Sequence, residues 1–258
     1  MSKIANAFKN GKAFIGFLTG GDPSLAKTEE YIFEMIAGGA DLIEIGVPFS
    51  DPIAEGSVIQ RANLRALSAG TTLPKLFALV ERVRQKSQIP LVFLTYLNPV
   101  FRYGYERFFQ KCRSVGLDGV IIPDLPAEEQ GEARIFAEKE GVDIISLIAP
   151  TSEERVRVIA RNATGFLYVV SSMGVTGVRG EIQTDLASML ALARSVSELP
   201  AAIGFGIGTP EQARAMAGVA DGAIVGSAIV RLIEQHGETA HEPLRRFVAE
   251  MKAAVLES

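Results

Sequence analysis

Short strand-like runs alternate with amphipathic helical runs along the whole chain, and this alternation constrains the fold more than any other feature. The strand-like runs cover 14–19, 41–47, 91–96, 119–123, 143–148, 166–171, 201–204 and 222–225. Helical patterns follow at 25–37, 73–86, 105–115, 127–140, 153–162, 186–196, 211–217 and 242–256. Because no Gly/Ser-rich or charged linker separates these units, the 258 residues are predicted to form one α/β domain, 1–258, a closed (β/α)8 TIM barrel.

Two short helices are predicted outside this repeating pattern. Ser2 can cap an N-terminal helix whose apolar residues Ile4, Ala7 and Phe8 would plug the bottom of the barrel. An extra short helix at 58–67 follows the second strand, and 97–103 is predicted as a loop.

Composition narrows the class of protein. An apolar content of 48% with a mean hydropathy of +0.22 supports a large core, and a net charge of −4 argues against binding nucleic acid or an anionic membrane. The single cysteine, Cys112, excludes an internal disulfide and lies on a helical core pattern. With no signal-peptide pattern and no apolar run of membrane-spanning length, we expect a cytoplasmic protein.

Glu44 lies inside the otherwise apolar second strand. Because strand side chains alternate between faces, Leu42, Glu44 and Gly46 share one face, while the opposite face holds only aliphatic residues suited to packing against helices. The Glu44 carboxyl group is therefore predicted to point into the barrel, near the carboxyl end of the strand. Burying a carboxylate without a partner costs several kcal/mol, so Glu44 is either hydrogen-bonded structure or a working acid/base.

Glycines concentrate in the loops after the last three strands, where barrel enzymes bind phosphate. The series Gly204, Gly206 and Gly208 follows strand seven, and Gly226 with Ser227 opens a short helix after strand eight. Loop six adds Gly174 and Gly177. Each glycine alone fits a turn with positive φ, but together they predict a cradle of backbone N–H groups at a helix N-terminus.

The predicted strand ends lack the residues that several common catalytic mechanisms require. Both histidines, His236 and His241, come after the last strand, which argues against a serine triad or a histidine-based metal site. No lysine stands at a strand's carboxyl end, so a Schiff-base aldolase is disfavoured, and no Gly-x-Gly-x-x-Gly motif indicates a nicotinamide cofactor. Proton transfer must then depend on carboxyl groups, with four candidates near strand ends: Glu44, Asp51, Glu55 and Asp124.

Aromatic and aliphatic residues near the strand ends could wall a flat apolar ligand, although each alone also fits core packing. They are Phe17, Leu94, Tyr96, Ile121, Leu147, Tyr168 and Phe205.

Five segments together resemble the tryptophan synthase alpha chain family. They are Leu42 to Pro52, Gln60-x-Ala62-Asn63-x-Arg65-Ala66-Leu67, Gly174-Val-Thr-Gly177, Gly204-Phe-Gly206 and Gly226-Ser-Ala-Ile-Val. The resemblance covers essentially the whole chain, and its most specific part is Pro-Phe-Ser-Asp-Pro at 48–52.

That resemblance implies a (β/α)8 lyase that cleaves indole-3-glycerol phosphate to indole and glyceraldehyde 3-phosphate. It implies no cofactor of its own, and a pyridoxal-phosphate beta chain as partner in a heterotetramer of two alpha and two beta chains. Glu44 matches the family's catalytic glutamate, and Glu55 falls where the family has an aspartate that stabilises the indole N–H. The substrate-binding positions are Phe17, Leu94, Tyr96, Tyr168, Thr176 and Phe205; the phosphate-binding positions are Gly177, Gly206, Gly226 and Ser227.

The chain departs from the family at Ala54-Glu55-Gly56-Ser57, where Ala-Asp-Gly-Pro is usual. Glutamate keeps the charge but moves it outward by about 1 Å, and a misplacement of that size can cost about 100-fold in rate. Losing proline at Ser57 restores backbone freedom to the loop.

Three alternatives therefore stay open: a stand-alone lyase that releases free indole, a weakly catalytic subunit that chiefly activates the beta chain, and another phosphate-binding barrel enzyme, such as an isomerase or synthase. Partner contact is expected at 48–56, 58–67 and 97–103, which flank the mouth of the pocket, and 172–181 should close over the ligand.

Overall fold

The computed structural model describes residues 3–170, 179–204 and 206–258, and at 179–185 it describes the backbone alone. Eight parallel strands pair in chain order and close, since the last strand pairs with the first. They are β1 (Ala13–Thr19), β2 (Leu42–Gly46), β3 (Leu91–Leu94), β4 (Gly119–Ile121), β5 (Asp143–Ile148), β6 (Leu167–Val170), β7 (Ala201–Gly204) and β8 (Gly222–Val225). The predicted TIM barrel is confirmed.

Helices fill the connections between the strands. They are α1 (Leu25–Ala37), α2 (Ser57–Ser68), α3 (Leu73–Arg84), α4 (Leu97–Tyr103), α5 (Tyr105–Val115), α6 (Gly131–Glu140), α7 (Glu153–Asn162), α8 (Arg179–Arg194), α9 (Pro210–Ala217), α10 (Ser227–His236) and α11 (His241–Leu256). The extra helix predicted after the second strand is α2. Among the described helices, none combines the length and apolar character needed to cross a membrane.

The prediction of a loop at 97–103 was wrong, because these residues form α4. Asp124, in the loop after β4, accepts a hydrogen bond from the N–H of Leu97 at 2.8 Å and so caps the first turn. Pro99 sits in that same turn, where its missing N–H costs nothing, and Gly104 ends the helix with φ +88°.

The N-terminal plug is present but is a 3-10 helix, Ile4–Phe8. Ile4 is fully buried and joins the core inside the barrel. Its side chain lies against Gly119, at the start of β4, and against Gly165, just before β6. Ile4 therefore closes the end of the barrel opposite the loops that carry the candidate site; the predicted cap, Ser2, lies outside the described residues.

The strands divide the apolar residues into two layers. Ile43 and Ile45 face outward into the core shared with the helices, while Leu42, Val92 and Ile121 face the barrel interior. This is the alternation predicted for the second strand, and it turns the Glu44 side chain inward.

Candidate active site

Glu44 is a buried acidic residue whose side chain points into the barrel. Only 1% of its surface is exposed, and neither carboxyl oxygen has a hydrogen-bond partner among the described residues. Burial raises its pKa to about 8, because removal from water disfavours the charged form. Glu44 therefore carries a proton at neutral pH and is close to the point at which it can give that proton up or take it back.

Phe17 forms an apolar wall beside this carboxyl group. It lies opposite Glu44 in the register of β1 on β2 and packs in a cluster with Ile59 of α2 and Val230 of α10. A Cβ added at Gly46 would lie 2.7 Å from the Phe17 ring, so the ring occupies space that only glycine leaves open. Leu94, at the end of β3, joins the same cluster from the opposite side of Glu44.

Tyr168 faces inward from β6 and is buried. Burial raises the pKa of its hydroxyl well above the ordinary value, and the nearby Glu44 charge raises it further. A Cβ at Gly204 would lie 2.6 Å from the Tyr168 oxygen, so Gly204 provides the space for the phenol. The structure therefore brings Glu44, Phe17, Leu94 and Tyr168 together inside the barrel.

Glu55 lies half-buried in the loop between β2 and α2. Its Oε2 accepts a hydrogen bond from Nδ2 of Asn63 at 2.6 Å. Burial raises the pKa of Glu55, and the Asn63 hydrogen bond opposes this by stabilising the carboxylate.

Tyr96 anchors the loop that carries Glu55. Its hydroxyl accepts hydrogen bonds from the N–H groups of Ile53 at 3.1 Å and Ala54 at 3.0 Å, and its ring packs on Phe49 with centroids 5.2 Å apart. The sequence predicted Tyr96 as a wall of the ligand slot, and this bond to the loop backbone is a second contribution that the sequence did not indicate.

Part of the expected phosphate cradle can be described. Ser227 is the first residue of α10, and Gly226 precedes it with the backbone turned into the helix. Gly206 adopts φ +76°, a conformation that favours glycine. A Cβ at Gly226 would come within 3.3 Å of the Phe17 ring, so the cradle borders the apolar wall. Three further predicted residues, Thr176, Gly177 and Phe205, lie outside the described residues.

The other two candidate carboxyl groups have different surroundings. Asp124 caps α4 through the N–H of Leu97, and Asp51 is exposed. Neither shares the buried, unpartnered setting of Glu44.

Asn63 belongs to the family-like segment that runs from Gln60 to Leu67, and the sequence indicated no role for it. It is 3% exposed and lies on the buried stripe of α2 with Ile59, Ala62 and Ala66. A polar residue on an apolar helix stripe needs a partner, and this was the sequence signal that could have identified it.

A closed parallel barrel that holds a protonated carboxyl group among inward-facing apolar side chains indicates a (β/α)8-barrel enzyme that works by acid/base chemistry. The family model of the tryptophan synthase alpha chain matches residues 4–256, and the chain belongs to that family. It is accordingly a lyase of tryptophan biosynthesis that acts on indole-3-glycerol phosphate. Membership of this family excludes the alternative that the chain is another phosphate-binding barrel enzyme, such as an isomerase or synthase.

Individual relatives agree over the full length. A tryptophan synthase alpha chain from Lacticaseibacillus casei is 48% identical, covering 99% of this chain and 96% of the relative. Another from Lactiplantibacillus plantarum is 49% identical, covering 99% and 97%. The crystal structure of tryptophan synthase subunit alpha from Legionella pneumophila matches with a TM-score of 0.91 at 34% identity, covering 100% of both chains. A chain from the structure of Mycobacterium tuberculosis tryptophan synthase matches with a TM-score of 0.88 at 33% identity, covering 99% of this chain and 98% of that one.

Proposed function

We propose that this chain cleaves indole-3-glycerol phosphate by a retro-aldol step in which Glu44 moves the protons. The protonated Glu44 gives its proton to C3 of the indole ring, which makes the ring a leaving group. The bond from C3 to the side chain then breaks as the adjacent hydroxyl becomes the aldehyde of glyceraldehyde 3-phosphate. Glu44, now a carboxylate, takes the hydroxyl proton and is restored.

The observation that carries this proposal is the setting of Glu44. A carboxyl group with a pKa of about 8 is protonated at neutral pH, yet it exchanges its proton at little cost. An acid that must donate and then accept within one turnover needs this balance.

Glu55 would stabilise the positive charge that develops on the indole N–H during the step. Its carboxylate lies on the loop after β2, at the same end of the barrel as Glu44. The proposed slot is formed by Phe17, Leu94, Tyr96, Tyr168, Thr176 and Phe205, and the proposed phosphate cradle by Gly177, Gly206, Gly226 and Ser227. The helix N-terminus at Ser227 suits an anion because its N–H groups and dipole favour negative charge.

A beta chain is the proposed partner, in a complex of two alpha and two beta chains, with the alpha chain a single domain of residues 1–258 in the cytoplasm. Two large apolar side chains support a docking surface beside the pocket mouth. Ile53, in the loop that carries Glu55, is 81% exposed, and Phe101 of α4 is 65% exposed. A partner over this surface would receive indole as it leaves.

The test is an assay of indole released from indole-3-glycerol phosphate, with and without a beta chain. We expect release by the wild-type chain, stimulation by the beta chain, and a loss of about 100-fold or more in Glu44→Gln, the range typical of a lost general acid/base. Asp51→Asn, measured without a beta chain, is the matched control because Asp51 is an exposed acid in the neighbouring loop.

The same assay separates the alternatives. Full release that a beta chain does not change would favour a stand-alone lyase. Stimulation of the beta chain's serine-dependent reaction, without detectable indole release, would favour the activating subunit. An unchanged rate in Glu44→Gln would overturn the assignment of Glu44.

A further inference from the structure

We propose that Asn63 is a positioning residue for this reaction: its side-chain amide fixes the Glu55 carboxylate in its ionised form, with Oε1 left for the substrate. This inference rests on the proposed function and deepens it, since it concerns how the chain uses glutamate where its family uses aspartate.

The contact joins a buried donor to a half-buried acceptor. Asn63 Nδ2 lies 2.6 Å from Glu55 Oε2, a close hydrogen bond that is charge-assisted when the carboxyl group is ionised. No described residue donates to Oε1 of Glu55. The amide therefore occupies one carboxylate oxygen and leaves the other for a ligand.

Glu55 is held to α2 at two points. Its side chain is bound by Asn63, and its backbone carbonyl accepts a hydrogen bond from Nε2 of Gln60 at 2.8 Å. Both donors belong to α2, so the end of the loop is fixed to the helix that follows it. A free glutamate has three rotatable bonds, and a bond at its tip restricts all of them.

This anchoring compensates for the greater length of glutamate at position 55. The extra methylene extends the carboxylate by about 1 Å relative to aspartate, enough to misplace a group that must meet the indole N–H. Bound to Asn63, the longer side chain is drawn against α2 instead of extending into the slot.

The amide also favours the charged form. Burial raises the pKa of Glu55 above its ordinary value, and the Asn63 hydrogen bond limits that rise. Among the described residues, the titratable group that interacts with Glu55 from a packed element is the hydroxyl of Tyr96, which is neutral at the pH of catalysis. Asn63 is therefore the group among them that favours the ionised form of Glu55.

The experiment compares Asn63→Leu and Asn63→Asp with the wild type in indole release across pH 5 to 9. Leucine removes the donor, and aspartate keeps the shape while placing a second acid against Glu55. We expect kcat/KM at pH 7 to fall by about 10- to 100-fold, the value of a lost hydrogen bond to a charged group. We also expect the acidic limb of the profile to move to higher pH, further in Asn63→Asp than in Asn63→Leu.

A double-mutant cycle separates positioning from packing. In a Glu55→Gln background, Asn63→Leu should cause little further loss, because the group it positions has gone. Gln60→Leu is the matched control on the same helix: it frees the loop backbone without touching the carboxylate, so it should lower the rate without moving the acidic limb. An equal loss from Asn63→Leu in both backgrounds, or an unmoved acidic limb in Asn63→Asp, would overturn the proposal.

A direct titration of the Glu55 carboxyl group tests the role of Asn63 without measuring catalysis. The carboxyl carbon of Glu55, assigned in a ¹³C NMR spectrum by its absence from Glu55→Gln, should titrate at higher pH in both Asn63 variants. A wild-type chain that releases no indole would refute the proposed function alone, whereas an unchanged Glu55 titration would refute the role of Asn63.

Discussion

Arg65 of α2 binds Asp22, in the loop after β1, through two parallel hydrogen bonds, Nε to Oδ1 and Nη2 to Oδ2, each 2.8 Å long. The same guanidinium donates through Nη1 to Glu234 of α10 at 2.7 Å, and Arg61 binds both oxygens of Glu234. One side chain thus joins the loop after β1 to the helix that begins at the proposed phosphate cradle. It lies two residues from Asn63 on the helix that holds Glu55.

We expect Arg65→Ala to lower the free energy of unfolding by about 1–3 kcal/mol, because the Asp22 carboxylate would stay buried without its partner. The Asp22 side chain is 3% exposed. Arg61→Ala is the matched control, since its side chain is 51% exposed and such solvent-screened surface pairs contribute little to stability. Urea unfolding of both variants measures the difference. Equal losses of stability would show that the buried bond to Asp22 contributes no more than the surface ion pair of Arg61.

The raised pKa of Glu44 predicts a stability that falls as pH rises. In the unfolded chain Glu44 ionises near 4.5, whereas in the folded chain it keeps its proton until about pH 8. Below pH 4.5 Glu44 is protonated in both the folded and the unfolded chain, so its ionisation does not lower the free energy of unfolding. Between these values the unfolded state alone releases the proton, so the free energy of unfolding decreases by about 1.4 kcal/mol per pH unit, to a total on the order of 5 kcal/mol.

Glu44→Gln is neutral at every pH and should remove this dependence. We therefore expect the variant to be more stable than the wild type at pH 9, with the difference shrinking toward pH 5, in urea unfolding at both values. Glu81→Gln, an exposed position on α3, controls for the removal of a charge as such. A stabilisation that is the same at pH 5 and pH 9 would contradict the assignment of a buried, protonated Glu44.

The inward position of Glu44 could be predicted because it depends on strand alternation alone. Because Ile43 and Ile45 face the helices, the side chain between them must point into the barrel interior. The glycines could be predicted as candidate site residues for a similar reason, since loops at strand ends gather at one face of a barrel.

The contacts made by Glu55 and Tyr96 could not be predicted in the same way. Each depends on the path of an irregular loop: Tyr96 lies more than forty residues beyond the N–H groups that it binds, and Asn63 reaches back across the start of α2 to Glu55. The misassigned α4 has the same origin, because its cap, Asp124, comes from the loop after the next strand. Periodicity records which face a residue occupies, but it carries no information on which loops meet.

Gly204 should not tolerate a side chain. A Cβ there would lie 2.6 Å from the Tyr168 oxygen, so Gly204→Ala must displace the phenol from the slot or strain the barrel, at a cost of about 1–3 kcal/mol. We expect a higher KM for indole-3-glycerol phosphate together with lower stability in urea. Gly131→Ala is the matched control, because a Cβ at this first residue of α6 meets no atom within 4 Å, and it should be neutral or slightly stabilising. Wild-type kinetics in Gly204→Ala would show that Tyr168 does not need its present position.

Tyr96→Phe isolates the bond between a tyrosine and the loop that carries Glu55. The ring and its packing on Phe49 remain, while the N–H groups of Ile53 and Ala54 lose their acceptor. Both N–H groups can turn to water because Ile53 and Ala54 are exposed, so the loss of stability should stay near 1 kcal/mol or less.

Catalysis should suffer more than stability in Tyr96→Phe, because a loosened loop misplaces Glu55. We expect kcat/KM for indole release to fall by about 10-fold or more, since small misplacements of a reacting group are costly in rate. Tyr105→Phe, on α5 with its ring against Phe101, is the matched control and should keep the wild-type rate. If Tyr96→Phe also releases indole at the wild-type rate, the hydroxyl holds the loop only in the absence of substrate, and another contact must position Glu55 during the reaction.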